Sequence, residues 1–201
     1  MTGHDGFPAG FSQHTLDAVH LFWVGELPES VRVCGAAFER LWALHPADRP
    51  MIQIHGRQVA IPRWQQAYGV DYHFSGKTSV ALPLPSVLAS LLHWGQAAIE
   101  GRLNGALLNW YDAALRHYIG HHRDSRNGLV AGAPIVTISL GASRTFRLRP
   151  WRGRGFRDFC AQDGAVFVMP YETNLTWTHE VPHRRTDSGR RISVTLRAFT
   201  T

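Results

Sequence analysis

The sequence predicts a mostly β domain with flanking helices, its core an antiparallel double-sheet roll, and three observations carry that expectation. From Leu107 onward, short segments rich in β-branched and aromatic residues alternate with glycine and proline turns, with no helix-length pattern between them. Upstream, two stretches place apolar residues at helical spacing. The chain of 201 residues, 44% apolar, suffices for one sizeable core, and no linker, internal repeat or low-complexity tract divides it.

Taken in order, residues 1–25 remain unassigned, and a single domain is expected over 26–201. In PESVRVCGAAFERLWALH (28–45), Val31, Cys34, Phe38, Leu41 and Trp42 fall three or four apart after a proline and an acidic residue, which predicts a helix with Cys34 buried as a free thiol. A second helix is expected from Ser86 to Glu100, its stripe formed by Val87, Leu88, Leu91, Leu92 and Ile99. The expected strands are LLNWY, PIVTISLG, RTFRLR, GAVFVMP and RRISVTLRAF.

Composition narrows the function classes. No basic and apolar leader opens the sequence, and no uninterrupted apolar stretch is long enough to span a bilayer, so the expectation is a cytoplasmic protein with no membrane role. The two cysteines, Cys34 and Cys160, suit a reducing compartment. Net charge is +6, and Lys77 is the single lysine, so the excess is carried by arginine, whose planar fork clamps phosphates and carboxylates. Polyanion binding and an arginine-rich composition without function are both consistent with that charge.

The stretch GHHRDS (120–125) raises the question of chemistry. In an extended strand, residues two apart point the same way, so His122 and Asp124 can present an imidazole and a carboxylate to one side. With His179 of NLTWTHEVPH as a third donor, the set would be two imidazoles and a carboxylate on one face, which suits non-haem Fe(II) that activates oxygen. His-x-Asp alone is common, and His117, His121 and His183 are rivals. In RISVTLR (191–197), Arg191, Ser193, Thr195 and Arg197 share one face and Ile192, Val194 and Leu196 the other. If helices cover the outside of the roll, the arginine face lines the interior, where guanidinium groups are costly unless an anion meets them; the alternative is an outer strand with its arginines in water. Asn109 and Tyr111 repeat the side-sharing spacing with donors suited to a carboxylate.

These segments together resemble the AlkB-like family of Fe(II)- and 2-oxoglutarate-dependent dioxygenases, and within it the subgroup that repairs alkylated DNA. The resemblance runs from about Ala60 to Phe199, through IPRWQQAYG, FSG, NWY, YIGHHRD, APIVTISLGASRTFRLR, GAVFVMP, WTHEVP and RISVTLR. It implies the double-stranded β-helix (jelly-roll) core of the 2-oxoglutarate dioxygenase type over 106–199, with a lid and supporting helix over 60–105. It makes His122, Asp124 and His179 the iron ligands and so prefers His122 over His121. Arg191 would take the far carboxylate of 2-oxoglutarate, Arg197 would lie near its keto-acid end, and Asn109, Tyr111 and Thr195 would complete the pocket.

The activity implied is oxidative dealkylation of N-alkylated bases with Fe(II), O2 and 2-oxoglutarate, releasing formaldehyde, succinate and CO2. A base must leave its stack to be reached. Tyr72 and Phe74 match the family's nucleotide-recognition lid, with Arg63 and Ser125 as further substrate contacts, although aromatic residues there also suit plain strand packing. The loop RLRPWRGRGFR (147–157) and the pair Arg184 and Arg185 suit phosphate contacts or a solvated hairpin tip. Ser125 and Arg126 stand where the repair subgroup usually has acidic residues, and the lid YGVDYHFSG is short. The partner expected is DNA, with RNA as a further substrate, acted on by a monomer with no obligate protein partner. The same chemistry on a protein side chain or small molecule, a non-catalytic nucleic-acid-binding module and a zinc hydrolase are the competing readings, the last leaving RISVTLR without a role.

Overall fold

The computed structural model describes residues 7–200 apart from Ala9, His55 and Ser75. In chain order these form β1 (Ser12–Thr15), β2 (Leu21–Glu26), α1 (Gly35–Trp42), β3 (Met51–Ile54), β4 (Arg57–Ala60), β5 (Trp64–Tyr68), β6 (Tyr72–Phe74), β7 (Lys77–Ser79), α2 (Ser86–Ala98), β8 (Gly105–Asp112), β9 (Ile119–His122), β10 (Ile135–Gly141), β11 (Arg144–Pro150), β12 (Arg157–Ala161), β13 (Ala165–Met169), α3 (Tyr171–Thr176), β14 (Trp177–Val181) and β15 (Arg190–Arg197). A seven-stranded sheet runs β1-β2-β13-β10-β15-β8-β5 and a four-stranded sheet runs β12-β11-β14-β9, while β3-β4 and β6-β7 are separate hairpins. Every strand pair in the two large sheets is antiparallel.

Alternation along the central strands creates two different faces. On one, Ile192, Val194 and Leu196 of β15 join Leu108 and Trp110 of β8 and Val136, Ile138 and Leu140 of β10 in a core closed by Leu41 of α1 and Leu88, Leu91 and Leu92 of α2. The indole of Trp110 donates to the Leu41 carbonyl at 2.9 Å, which ties the end of α1 to the sheet. On the other face the small sheet stacks over the large one, Phe146 of β11 meeting Phe167 of β13 at 4.6 Å and Phe22 of β2 at 5.9 Å. That inner layer is apolar at the β2-β13 end and polar beneath β15 and β8, so the roll keeps a polar chamber beside its core.

Several sequence expectations are corrected here. The helix expected over 28–45 is a 3-10 turn at Glu29–Val31 followed by α1, because Arg32 and Cys34 take extended backbone between them. Cys34 therefore caps the helix and is exposed, not buried, and Cys160 is exposed as well. The second helix ends at Ala98, short of Glu100. The unassigned N-terminal segment supplies β1 and β2, and β2 extends through the expected domain start at residue 26 to pair with β13. Gly141, where β10 turns opposite Arg191, has φ +82°, and a Cβ there would stand 2.7 Å from the Phe38 ring. None of the described helices is long and apolar enough to cross a membrane.

Candidate metal and anion site

The two histidines expected from sequence meet across a strand pair. His122, the last residue of β9, lies in register with His179 of β14, and their rings are 4.2 Å apart between centroids. Asp124 follows two residues beyond His122, its Oδ1 lying 3.7 Å from His122 Nε2 and 3.9 Å from His179 Nε2. Those gaps exceed hydrogen-bond range. Ligand atoms of the three residues all fall within 4.8 Å of one another, a spacing that one ion can bridge. Among the described residues no donor reaches Asp124 Oδ1, although it is fully buried.

Electrostatics keep this set ready for a cation. Burial, reinforced by the neighbouring His179, pulls His122 down to about 3, and burial also lowers His179. Both imidazoles are thus neutral at physiological pH, and the short approaches to Asp124 are not ion pairs. His122 Nδ1 lies 2.9 Å from the Gly120 carbonyl and donates to it, which leaves the Nε2 lone pair facing the cluster. Burial, the largest single influence on Asp124, would raise it, but the Arg197 guanidinium and the adjacent His179 and His122 together outweigh it and hold the carboxyl at about 2. Arg197 Nε and Nη2 both bond Asp124 Oδ2, at 2.9 and 2.6 Å. The carboxylate is therefore ionised, with one oxygen occupied and the other free. Two neutral imidazoles and a carboxylate suit Fe(II), so the donor chemistry fits.

Arg197 is thus placed against Asp124, beside the candidate metal cluster. Arg191 is the other end of the same face. It is wholly buried, its Nε donates to Ser139 Oγ at 2.9 Å, and its Nη1 and Nη2 have no partner among the described residues. Burial draws its pKa down to about 10, so it stays cationic. Its guanidinium sits 5.2 Å from the ring centre of Tyr111, its register partner on β8. Asn109 faces Ser193 two pairs further, and Thr195 faces both Leu107 and Thr137; Asn109, Tyr111 and Thr195 are all buried. The arginine face of β15 lines the interior, and two unsatisfied amino groups on a buried cation call for an anion with two oxygens.

The lid residues close over this chamber. A cavity of about 290 Å³ is bounded by Arg63, Tyr72, Phe74, His122, Asp124 and Ser125, among others. Tyr72 and Phe74 share one side of β6, their rings stacked at 5.7 Å, while His73 between them is exposed. Arg197 lies 4.7 Å from the Tyr72 ring centre, and burial pushes the Tyr72 hydroxyl up to about 12. Ser75 of the FSG motif lies outside the described residues. Arg63 donates to Asn109 Oδ1 at 2.7 Å and to Gln65 Oε1 at 3.0 Å. Ser125 is half-buried, its hydroxyl accepting from the Asn127 amide.

The rival histidines stand apart. His117 packs edge-on against Trp64 and accepts from the Asp112 amide, His121 is exposed, and His183 lies 3.8 Å from Asp187. Much of the expected phosphate-binding charge is already matched: Arg147 and Arg184 bond Asp158, and Arg149 bonds Glu180. Arg152, Arg154 and Arg185 remain exposed, as do Arg123 and Arg126 beside the cluster.

Three supporting residues escaped the sequence. Asn174 of α3 accepts from the Asp124 amide at 2.9 Å and donates to its carbonyl at 3.1 Å, fixing the backbone that aims the carboxylate. No local pattern marks it. Gln65 holds Arg63, and Ser139 holds Arg191. Ser139 did have a signal, since Thr137 and Ser139 give IVTISL the same one-sided polarity that RISVTLR shows.

Comparison with known proteins places the chain in a family. Residues 36–197 match the model of the 2OG-Fe(II) oxygenase superfamily. Human and mouse DNA oxidative demethylase ALKBH2 are each 31% identical over 157 residues, which is 73% of this chain and 60% and 65% of the respective relatives. The chain thus spans less than two thirds of the length of these relatives. The solved structure of OsALKBH1 superposes with a TM-score of 0.59 at 11% identity, covering 92% of this chain and 99% of its own, and shares the fold. With the matched region running from α1 to the end of β15 and enclosing the whole site, the chain belongs to the 2OG-Fe(II) oxygenase superfamily.

Proposed function

We propose that this chain is an Fe(II)- and 2-oxoglutarate-dependent dioxygenase that removes N-alkyl groups from nucleic-acid bases, with DNA as its main substrate and RNA as a further one. The observation that carries the reading is the conjunction on one strand. A wholly buried Arg191 with both amino groups open stands on the same face of β15 as Arg197, which holds the carboxylate of a two-histidine cluster. A metal site alone or an anion site alone would leave the other half unexplained. The ALKBH2 relatives, named as DNA oxidative demethylases, support the substrate class.

In this reading His122, Asp124 and His179 hold the iron. Bound there with 2-oxoglutarate and O2, it supplies the oxidation in which the cosubstrate becomes succinate and CO2 and an N-alkyl C–H bond becomes C–OH. The chain's own residues do the rest. Arg191 Nη1 and Nη2 clamp the far carboxylate of the cosubstrate, with Tyr111 and Thr195 beside it, while Asn109, its Oδ1 taken by Arg63, offers its amide N–H. Arg197 keeps Asp124 ionised and oriented. Tyr72 and Phe74 form an aromatic floor for an extruded base, whose alkyl group then faces the cluster across the cavity. The hydroxylated N-methyl group breaks down by expelling formaldehyde and leaving the base nitrogen unsubstituted. Exposed Arg123 and Arg126, beside the cluster, and exposed Arg152 and Arg154, in the β11-β12 loop, are the cations this reading assigns to phosphates of the flanking strand.

A second reading keeps the oxidation and moves it to a protein side chain or small molecule. The pairing of Arg147, Arg149 and Arg184 with carboxylates favours it, because it removes part of the basic surface. Formaldehyde released from methylated single-stranded and duplex oligonucleotides, with matching succinate, tests the two. The nucleobase reading expects stoichiometric release by the native chain and none by His122→Ala. Succinate formed without formaldehyde from any oligonucleotide would transfer the case to the second reading. Monomeric action in a reducing cytoplasm, suggested by two unpaired exposed cysteines, is part of the same proposal.

A further inference from the structure

We propose that the base cavity selects electrically neutral N-alkylated bases that present a carbonyl oxygen, with Arg63 as the donor, and discriminates against cationic N-alkylated bases. This specificity rests on the nucleobase reading above and names the class of base within it.

Charge and hydrogen-bonding capacity around the cavity are one-sided. Among its described lining residues Asp124 is the one carboxylate. It is unavailable to a base, because Oδ2 takes both bonds from Arg197 and Oδ1 belongs to the histidine cluster. The position next to it, Ser125, brings a neutral hydroxyl that already accepts from the Asn127 amide. No acceptor with a full negative charge is therefore left to meet a cationic ring or the amino group it carries.

Arg63 supplies the opposite character. It is 8% exposed, and its Nε and Nη2 are fixed on Asn109 and Gln65, which sets the plane of the guanidinium. The remaining amino group, Nη1, has no partner among the described residues, yet it is not sealed off, on a residue that lines the cavity. It is a rigid, charged donor waiting for an acceptor, and a carbonyl oxygen on an extruded base is the group that satisfies it. A base with an amino group at that position would oppose donor to donor and leave the guanidinium unmet. A cationic base would in addition add positive charge beside Arg63, Arg123 and Arg197 without a compensating carboxylate.

3-Methylcytosine and 3-methylthymine isolate this property. They carry the N-methyl group at the same ring position and differ at position 4, where the first is an amino-bearing cation and the second a neutral carbonyl, and at position 5, where only the second bears a methyl group; 3-methyluracil, which lacks that group, controls for it. In otherwise identical single-stranded oligonucleotides, kcat/KM for 3-methylthymine should exceed that for 3-methylcytosine by about tenfold or more, the worth of one hydrogen bond to a charged donor. Equilibrium binding of the same oligonucleotides with iron and 2-oxoglutarate under anaerobic conditions should follow the same order without turnover. Ser125→Asp, which supplies the absent carboxylate, should raise 3-methylcytosine and lower 3-methylthymine; the wild-type order decides the matter alone if that variant does not fold. Dealkylation of both bases with 3-methylcytosine equal or preferred overturns the specificity and leaves the dealkylase reading intact. Succinate formation with neither base dealkylated overturns both.

Discussion

Arg191 and Arg197 occupy the two ends of one face of β15, and both are shielded from solvent, yet their hydrogen bonding is opposite. Arg197 spends two of its three nitrogens on Asp124 Oδ2 and keeps only Nη1 open. Arg191 spends Nε on the Ser139 hydroxyl and keeps both amino groups open. The first guanidinium is matched within the protein; the second is not, and in the proposed function a bound carboxylate matches it. A buried charge without its counter-charge lowers stability, so a position that keeps one has been selected for a ligand, whereas a matched pair answers to folding as well.

The largest effect should come from Arg197→Met. Removing one partner leaves Asp124 as an unmatched buried carboxylate, at a cost of about 3–5 kcal/mol in stability. Thermal or denaturant unfolding of the metal-free chain measures it, and added Fe(II) or Mn(II) should recover more stability in the variant than in the native chain, since the ion supplies the missing positive charge. Arg191→Met should do the reverse. Without 2-oxoglutarate the chain should unfold at the same temperature or higher, because an unmet guanidinium gives way to an apolar side chain of similar length. Affinity for 2-oxoglutarate should fall about 100-fold or more, from the loss of two charge-assisted bonds, as read by calorimetric or fluorescence titration. If both variants destabilise the ligand-free chain equally, the distinction between the two arginines collapses.

Asn174→Ala sharpens the same comparison from behind Asp124. It leaves the carboxylate and Arg197 in place and removes the two backbone bonds that set their direction, one to the Asp124 amide and one from the side chain to its carbonyl. A stability loss of about 1–3 kcal/mol is expected for the orphaned backbone groups. Metal affinity should fall by about tenfold or more, as second-layer contacts of metal ligands do when lost. Metal affinity that stays at the native value would show that Arg197 orients Asp124 by itself.

What the sequence revealed follows the range over which its signals act. The faces of β15 were legible because alternation is local and complete within RISVTLR, and a strand reports its two environments residue by residue. His-x-Asp was legible as a pair for the same reason. His179 could be offered from the sequence only as one candidate among rival histidines, because its approach to His122 depends on the β9-β14 register, and the family resemblance singled it out. Cys34 was misplaced when a helical period was carried through residues that take extended backbone, where the apolar phase has no meaning. The arginines of β11 looked free because their carboxylate partners, Asp158 and Glu180, stand on adjacent strands. β1 escaped because SQHT is polar throughout, and β2 because an apolar run as short as LFWV does not separate strand from helix.

The smallest effect contrasts two aspartates. Asp124 is enclosed and held by an arginine, while Asp17, between β1 and β2, keeps 42% of its side chain in solvent and is held by two backbone amides, an imidazole and an indole. It accepts from the Val19 and His20 amides, from His20 Nδ1 and from the indole of Trp177, and so ties the β1-β2 turn to β14. Those bonds, the Val19 amide first, hold its pKa well below the ordinary carboxylate value. A depressed carboxyl contributes its stability above the unfolded-state pKa, about 4, and loses it as pH falls further towards the folded value. Protonation therefore loosens the turn only in strong acid, and at neutral pH Asp17→Ala should do the same by removing the acceptor. Amide exchange should then rise across residues 16–21 while β15 and the iron cluster keep native protection, since Asp17 touches neither. Faster exchange reaching β15 would show instead that the N-terminal strands and the arginine face open as one unit.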